Sequence, residues 1–313
     1  MSSPRGAAAA ARSVDPDAAA PSMPAGNVAG AGGHGRDVVG ASYRLHQQFR
    51  YEYPGPIEGL QHRLIVAPPE VYGDQVRVDH RLTVSEGLSV RWQLDTFGNS
   101  VATITADRVE REVVLDYEAT IRRSAGTPPL LEARWYGDAR FREPSRLTKP
   151  SLALRDAAET LLARDDGTGH LATTINAFVA QHMRYVPDVT TVETTAAEAF
   201  AQGTGVCQDY AHIMIALCRL CGIPARYVSG HLLGEGGTHA WLEVIEPAPG
   251  TGTARVAGYD PTHDRRTTLN YVFVAAGRDY ADVAPTSGQF TAPYIGRFTT
   301  TRRVDVLDRE YAA

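Results

Sequence analysis

Apolar and polar residues alternate with a period of two along the first half of the chain, which predicts a series of short β-strands. Turn signals such as Pro54-Gly-Pro56 and Asp95–Asn99 separate them. The predicted strands cover 43–53, 61–66, 75–84, 88–94, 101–105 and 112–121. Several short strands with turns between them predict an antiparallel β-sandwich. No residue of this half suggests catalysis, because its histidines lie within the strands and are expected to be structural.

The period changes to that of amphipathic helices after Pro150. The predicted helices cover 152–162, 171–183, 196–201 and 207–221, and further strands are predicted at 225–233, 238–245, 255–260, 271–274 and 294–306. Thr195 and Glu198 have the spacing of a capping box before the third helix. Helices followed by antiparallel strands predict an α+β core.

Composition divides the chain further. Residues 1–40 are rich in Ala, Gly, Pro and Ser and are expected to form a disordered tail. The predicted order is then a β-rich domain at 41–124, a Pro-bounded connector at 125–150, the α+β core at 151–306 and a C-terminal tail at 307–313.

The overall charge of −5 argues against a nucleic-acid partner, which would need a basic patch. Because the chain has no run of about 18 apolar residues, no membrane span is predicted. Arg12 and Asp15 interrupt what would be the apolar part of a signal peptide. All three cysteines lie between 207 and 221, so no disulfide framework is expected. These features predict a cytoplasmic protein.

Cys207 lies where a Gly-rich turn becomes the fourth helix, and a helix N-terminus favours a thiolate over a thiol. His239 is near the start of a later strand and Asp260 is at the end of the next one. If these strands are neighbours, an imidazole could take the thiol proton and a carboxylate could orient the imidazole. Taken singly, each residue also fits a structural role, as a small buried side chain, a strand histidine or a strand end.

Four segments carry a resemblance: Gly205–Leu217 around the cysteine, Gly222–His231, Thr238–Val244 around the histidine, and Gly258–Thr262 around the aspartate. Together they resemble the core of the bacterial transglutaminase-like superfamily, whose members are often described as cysteine proteases. Residues 43–124 resemble the N-terminal domain that precedes this core in many bacterial members.

The resemblance implies a papain-like α+β core, with helices packed on an antiparallel sheet, preceded by a β-sandwich-like N-terminal domain. It also implies a catalytic triad in which Cys207 is the nucleophile, His239 the general base and Asp260 the orienting acid. This sequence departs from the family at Thr238, where Ser is common, and at His263, where Asn is common.

The predicted function is a thiol-dependent amide-bond enzyme that acts on a peptide or protein through a thioester intermediate. Water as acceptor gives a peptidase, amidase or deamidase, and an amine gives a transglutaminase; the same residues serve both, and we favour hydrolysis. No metal or organic cofactor is expected. The backbone N–H of Cys207 is one oxyanion donor, and the second is left open between the Tyr185 segment and Gln208.

Two alternatives belong to other classes. A non-catalytic peptide-binding or scaffold protein would keep the fold and use the cleft for recognition. A redox thiol cluster would use Cys218 and Cys221, although these residues lie at the end of a core helix, where a regular helix disfavours a disulfide. A zinc site on these two cysteines is disfavoured because no second ligand pair stands at the required spacing. Substrate identity and oligomeric state do not follow from the sequence.

Overall fold

A computed structural model describes residues 38–126, 128–167 and 169–312. Most of the predicted disordered tail, residues 1–37, lies outside the described residues. Residues 38–40, which the sequence assigned to that tail, already belong to the first strand.

The elements observed agree with an α+β chain that begins with strands. The strands are β1 (Val38–Glu52), β2 (Ile57–Ala67), β3 (Val71–Tyr72), β4 (Gln75–Val84), β5 (Ser89–Leu94), β6 (Ser100–Val109), β7 (Glu112–Ser124), β8 (Leu130–Glu132), β9 (Arg184–Tyr185), β10 (Thr204–Gly205), β11 (Ala225–Leu232), β12 (His239–Ala248), β13 (Thr253–Asp260), β14 (Arg265–Arg266), β15 (Tyr271–Gly277), β16 (Thr286–Thr291) and β17 (Arg297–Tyr311). The α-helices are α1 (Leu152–Ala163), α2 (Leu171–His182), α3 (Ala196–Gln202), α4 (Cys207–Leu220) and α5 (Tyr280–Val283).

The N-terminal half is a two-sheet antiparallel sandwich, as the alternation predicts. One sheet has the order β17-β1-β7-β4-β3 and the other the order β16-β2-β6-β5. In β1, the alternate residues Tyr43 and Leu45, and further along Phe49, are buried in the apolar layer of the sandwich. Period-two alternation thus gave both the strand and the face that it buries.

The two C-terminal strands belong to this sandwich. β17 pairs with β1 from Val38↔Tyr311 to Glu52↔Arg297, and β16 pairs with β2. The sequence had assigned residues 286–306 to the core and 307–313 to a tail. Alternation identifies a strand but not its partner, so the return of the chain to the first sheet was not visible in the sequence.

The core places helix α4 at its centre. The sheet β14-β13-β12-β11-β15 lies on one side of α4, and α1, α2 and α3 pack against it from the other side. Every residue of α4 from Gln208 to Arg219 is buried. Helix α3 begins with the predicted capping box between Thr195 and Glu198. A fully buried helix holds its N-terminal residue in a fixed position relative to the sheet.

Side-chain amides join the sandwich to the core. Asn99 donates to the backbone oxygen of Ala276 and accepts from its backbone N–H, both at 2.9 Å. Gln75 makes the same pair of contacts with Phe273, at 2.8 and 2.9 Å. Because β15 is the last strand of the core sheet, these amides occupy hydrogen-bonding positions that a further strand would otherwise fill.

None of the helices in the described part of the chain is both long enough and apolar enough to cross a membrane.

Candidate active site

The N-terminus of α4 is held by a turn that the glycines make possible. Gly203 ends α3 with φ of 65°, a left-handed conformation that glycine adopts readily. Strand β10 then pairs in parallel with β9, and Val206 precedes the helix in an extended conformation. Cys207 is the first helical residue and its side chain is partly exposed. Its backbone N–H has no partner within the helix and points outward from the positive end of the helix dipole.

Asp209 caps this turn from inside the protein. Its Oδ2 accepts the Val206 N–H at 2.8 Å and the Thr190 hydroxyl at 2.7 Å. A Cβ at Gly205 would lie 2.5 Å from this oxygen, so only glycine fits there. Burial raises the pKa of Asp209 to about 6, although the two hydrogen bonds oppose this shift. Asp209 therefore fixes the cysteine's turn and takes no direct part in the site.

The structure brings the three predicted residues together. β12 and β13 are antiparallel neighbours, so the start of one and the end of the other meet at the same edge. His239 Nε2 donates to Asp260 Oδ2 at 2.8 Å, and both side chains are buried. The Cys207 side chain also interacts with His239 and helps to raise the pKa of its imidazole. Because Nε2 faces Asp260, the other ring nitrogen, Nδ1, is the one that can reach the sulfur, and it also contacts Glu235.

Two further residues belong to the site and were missed in the sequence. Glu235 Oε2 lies 3.0 Å from His239 Nδ1, and its Oε1 lies 3.1 Å from His263 Nε2. His263 Nδ1 donates to Asp260 Oδ2 at 2.8 Å. The four side chains thus form a closed ring of alternating carboxylates and imidazoles. The only sequence signals were a Glu in a glycine-rich turn and the unusual His after Asp-Pro-Thr.

Asp260 is the acceptor on which the cluster converges. Its Oδ2 also accepts from the Tyr271 hydroxyl at 2.6 Å, and its Oδ1 accepts the Thr262 N–H at 3.0 Å. Burial alone would raise the pKa of Asp260, but the charges and hydrogen bonds of His239 and His263 outweigh it and lower the pKa well below its usual range.

The pKa values of the two imidazoles shift in the opposite direction, upwards. Burial opposes protonation of His239, but Asp260, Cys207 and Glu235 together raise its pKa well above the usual value. Hydrogen bonds to Asp260 and Glu235 raise the pKa of His263 to about 9. Burial would raise the pKa of Glu235, yet its bonds to the two histidines lower it to about 2. At neutral pH the ring therefore contains two carboxylates and two imidazolium ions.

The two candidates for a second oxyanion donor differ in their surroundings. Gln208 Nε2 donates to the Thr191 backbone oxygen at 3.3 Å, so its amide is engaged away from the sulfur. Tyr185 pairs with Gly205 between β9 and β10, two residues before Cys207, and its phenol interacts electrostatically with Cys207, Glu235 and His239. Burial is the main reason that its pKa rises to about 12. The Tyr185 hydroxyl is therefore protonated near neutral pH and lies on the strand that pairs with the one before the cysteine.

One part of the ring has three donor atoms at the spacing of a metal site. Donor atoms of His239, Asp260 and His263 lie within 4.8 Å of one another. Each of these atoms is engaged in the hydrogen bonds described above, and those bonds account for the arrangement. The ring is thus explained as an acid–base cluster.

The remaining cysteines lie apart from the site. Cys218 is fully buried and Cys221 is partly buried, and neither forms a disulfide. Burial raises the pKa of Cys218, and it raises that of Cys221 to about 11. Both thiols stay protonated near neutral pH, which suits packing rather than redox chemistry.

The site combines a cysteine at a helix N-terminus with a strand histidine and its aspartate. Together with helices packed against an antiparallel sheet, this arrangement defines a papain-like class of protein. Residues 155–250 match the transglutaminase-like superfamily, and residues 43–122 match the bacterial transglutaminase-like N-terminal region. The chain belongs to the transglutaminase-like superfamily, as the resemblance of its motifs predicted. The core match includes Cys207 and His239 and ends before Asp260.

Similar proteins are known from mycobacteria and from a solved structure. An uncharacterised protein of Mycobacterium leprae is 40% identical over 117 residues, which cover 34% of this chain and 39% of that protein. An uncharacterised protein of Mycobacterium tuberculosis is 40% identical over 110 residues, which cover 32% of this chain and 35% of that protein. The matches thus span less than two fifths of the length of these curated relatives. A candidate cysteine protease from Cytophaga hutchinsonii has a TM-score of 0.69 at 22% identity, covering 87% of this chain and 93% of that one, which shows a shared fold.

Proposed function

We propose that this chain is a thiol-dependent amide-bond enzyme that works through a thioester on Cys207. The observation that carries the proposal is the buried His239–Asp260 pair, with 2.8 Å between Nε2 and Oδ2, whose imidazole also interacts with the Cys207 side chain. A nucleophile, a base in contact with it and a group that orients the base are the parts that acyl transfer requires. The fold shared with a candidate cysteine protease is consistent with this class.

The first half-reaction forms the thioester. The Cys207 thiolate attacks the substrate carbonyl carbon, and the C–N bond breaks as His239 gives the proton on Nδ1 to the leaving amine. The N–H of Cys207 stabilises the negative oxygen of the tetrahedral intermediate without reorganising, because the helix already fixes it. We assign the second donor to the Tyr185 hydroxyl, since Gln208 is engaged with Thr191.

The second half-reaction releases the acyl group. His239 takes a proton from the attacking water or amine, the new C–O or C–N bond forms, and the C–S bond breaks to restore the thiolate. We favour water, because it is present at far higher concentration than any amine. A peptide or protein as substrate, and a cytoplasmic location, remain predictions from the sequence.

Iodoacetamide labelling tests the nucleophile. At pH 6 we expect iodoacetamide to label Cys207 at least about tenfold faster in the unchanged protein than in His239→Ala, because His239 interacts with the Cys207 side chain. Peptide mapping by mass spectrometry reads each cysteine separately, with buried Cys218 as the internal control. His170→Ala, at an exposed histidine, should react as the unchanged protein does.

A reaction rate at pH 6 that is the same in both histidine variants would favour the non-catalytic scaffold instead. The acceptor is identified by incubating a peptide library with and without a primary amine, using Cys207→Ala as the blank. Release of free acid supports hydrolysis, and adducts of the amine support transamidation.

A further inference from the structure

Both ring nitrogens of His239 are occupied by carboxylates. Nε2 faces Asp260 at 2.8 Å, and Nδ1 faces Glu235 at 3.0 Å. Carboxylates at these pKa values accept hydrogen bonds and cannot donate them, so a proton must lie on each nitrogen. The geometry therefore requires His239 to be an imidazolium in the resting site. The three residues of the triad alone supply only one of the two carboxylates.

We propose that Glu235 is a positioning residue for the proposed reaction: it accepts the hydrogen bond of His239 Nδ1 and holds the base in its charged form beside Cys207. This inference rests on the proposed function, because it concerns the nitrogen that exchanges protons with the cysteine and the leaving amine. Glu235 acts through His239, and its role is to keep the proton that the leaving amine receives.

The position of Glu235 on the chain suits this role. It lies in the turn between β11 and β12, four residues before His239, with Gly234 on one side and Gly236 on the other. Gly234 has φ of 92°, which a glycine adopts without strain. The Glu235 side chain is 39% exposed, so it contacts solvent as well as the buried His239.

His263 fixes the other end of this carboxylate. Glu235 Oε1 lies 3.1 Å from His263 Nε2, and the far nitrogen of His263 is tied to Asp260. Since the Glu235 turn has three neighbouring glycines, this second bond restricts where the carboxylate can lie. The His263 side chain, 32% exposed, closes the ring on its outer side.

Other titratable groups also surround His239, and their charges contribute to its protonation state together with Glu235. Besides Cys207 and Asp260, the groups whose charges or rings face it are His263, Tyr271, Tyr185 and His231. Both tyrosines have raised pKa values, and burial lowers the pKa of His231 to about 4. At neutral pH these three are uncharged, so Glu235 is the second anion at the ring.

Glu235→Gln tests the charge without removing the hydrogen bond, because the amide oxygen can still accept from Nδ1. With one carboxylate lost, His239 should release its proton at lower pH. We expect the alkaline limb of the kcat/KM profile to move down by about one pH unit or more. Glu246→Gln, at an exposed position of β12, is the matched control and should leave the limb in place.

A second measurement does not depend on turnover. In Cys207→Ala, the imidazole resonances of His239 are titrated by NMR with and without Glu235→Gln, and assigned with a His239→Gln variant. The midpoint should fall by about one pH unit. An unchanged midpoint would overturn the role of Glu235 even if the enzyme is active. Absence of turnover and of Cys207 reactivity, with a shifted midpoint, would reject the proposed function and leave the Glu235 contact established.

Discussion

At the scale of single residues, the site is governed by charge balance. Asp260 and Glu235 are anions, His239 and His263 are cations, and each carboxylate contacts both imidazoles. A buried ionised carboxylate such as Asp260 would cost several kcal/mol if it were unpaired. Here its Oδ2 also receives the Tyr271 hydroxyl, so the charge is compensated on every side. The same contacts hold the His239 imidazole in one orientation.

Tyr185→Phe tests the second oxyanion donor. The phenol stays protonated at neutral pH because its pKa is raised to about 12, so it can donate to a developing oxyanion. Removal of one such donor should lower kcat about 100-fold with little change in KM. Tyr311→Phe, at an exposed position of β17, is the control, and steady-state kinetics is the measurement. A kcat that falls no further than in this control would leave the Cys207 N–H as the only assigned donor.

At the scale of elements, the N-terminus of α4 shows how a buried acid, Asp209, can hold the turn at the start of a helix. Asp209 lies inside the first turn, and its second oxygen, Oδ1, has no hydrogen-bond partner. Burial without full pairing makes the charged form costly, which is why the pKa rises to about 6. The helix dipole and the Val206 N–H reduce this cost without removing it.

The raised pKa predicts the sign of a pH effect on stability. Between its ordinary pKa and about 6, Asp209 binds more protons in the folded than in the unfolded state, so its contribution is complete at low pH and is lost as pH rises through 6. The loss is up to about 3 kcal/mol. The free energy of unfolding, measured with denaturant at several values between pH 4 and 7, should therefore fall more steeply with pH in the unchanged protein than in Asp209→Asn.

Glu198→Gln provides the comparison for this series. Glu198 caps the neighbouring helix α3, but its carboxylate is exposed and its pKa is lowered by hydrogen bonds to Thr195. The contribution of Glu198 to stability is thus lost as pH falls, whereas that of Asp209 is lost as pH rises. If the free energy of unfolding depends on pH in the same way in the unchanged protein and in Asp209→Asn, Asp209 ionises normally in the folded protein.

At the scale of the whole molecule, the sandwich and the core are joined across the edge strand β15. The carboxamides of Gln75 and Asn99 pair with the backbone of this strand at buried positions. Tyr72 adds a second connection, since its hydroxyl contacts the buried Arg226–Glu243 ion pair. β15 also begins with Tyr271, which donates to Asp260, so the N-terminal sandwich supports a strand that contacts the candidate site.

Gln75→Ala should destabilise the whole chain. It leaves the N–H and C=O of Phe273 buried without partners, which costs about 2–3 kcal/mol. Denaturant unfolding measures this loss, with Gln93→Ala on the exposed strand β5 as the control expected to change little. A loss no larger than that of the control would mean that water replaces the amide and that the interface does not depend on it.

Prediction from sequence succeeded where the signal is local. Alternation gave most strands of the sandwich, and the thiol at a helix start, Cys207, was evident from the Gly-rich turn before it. The pairing of β17 with β1 was missed because strand periodicity carries no information about partners separated by the whole chain. The roles of Glu235 and His263 in the site were missed for a related reason. Their spacing along the chain does not show that their side chains meet those of His239 and Asp260.

The sequence by itself indicated most of the elements and the family, and it predicted the three residues of the candidate triad, because periodicity, turn chemistry and motif order are properties of neighbouring residues. Only the tertiary structure decided that β12 and β13 bring His239 to Asp260, that a second carboxylate occupies Nδ1, and that the chain returns to complete the sandwich. These depend on distances between residues far apart along the chain. Such distances are fixed by packing and by the pairing of buried polar groups, which local sequence does not specify.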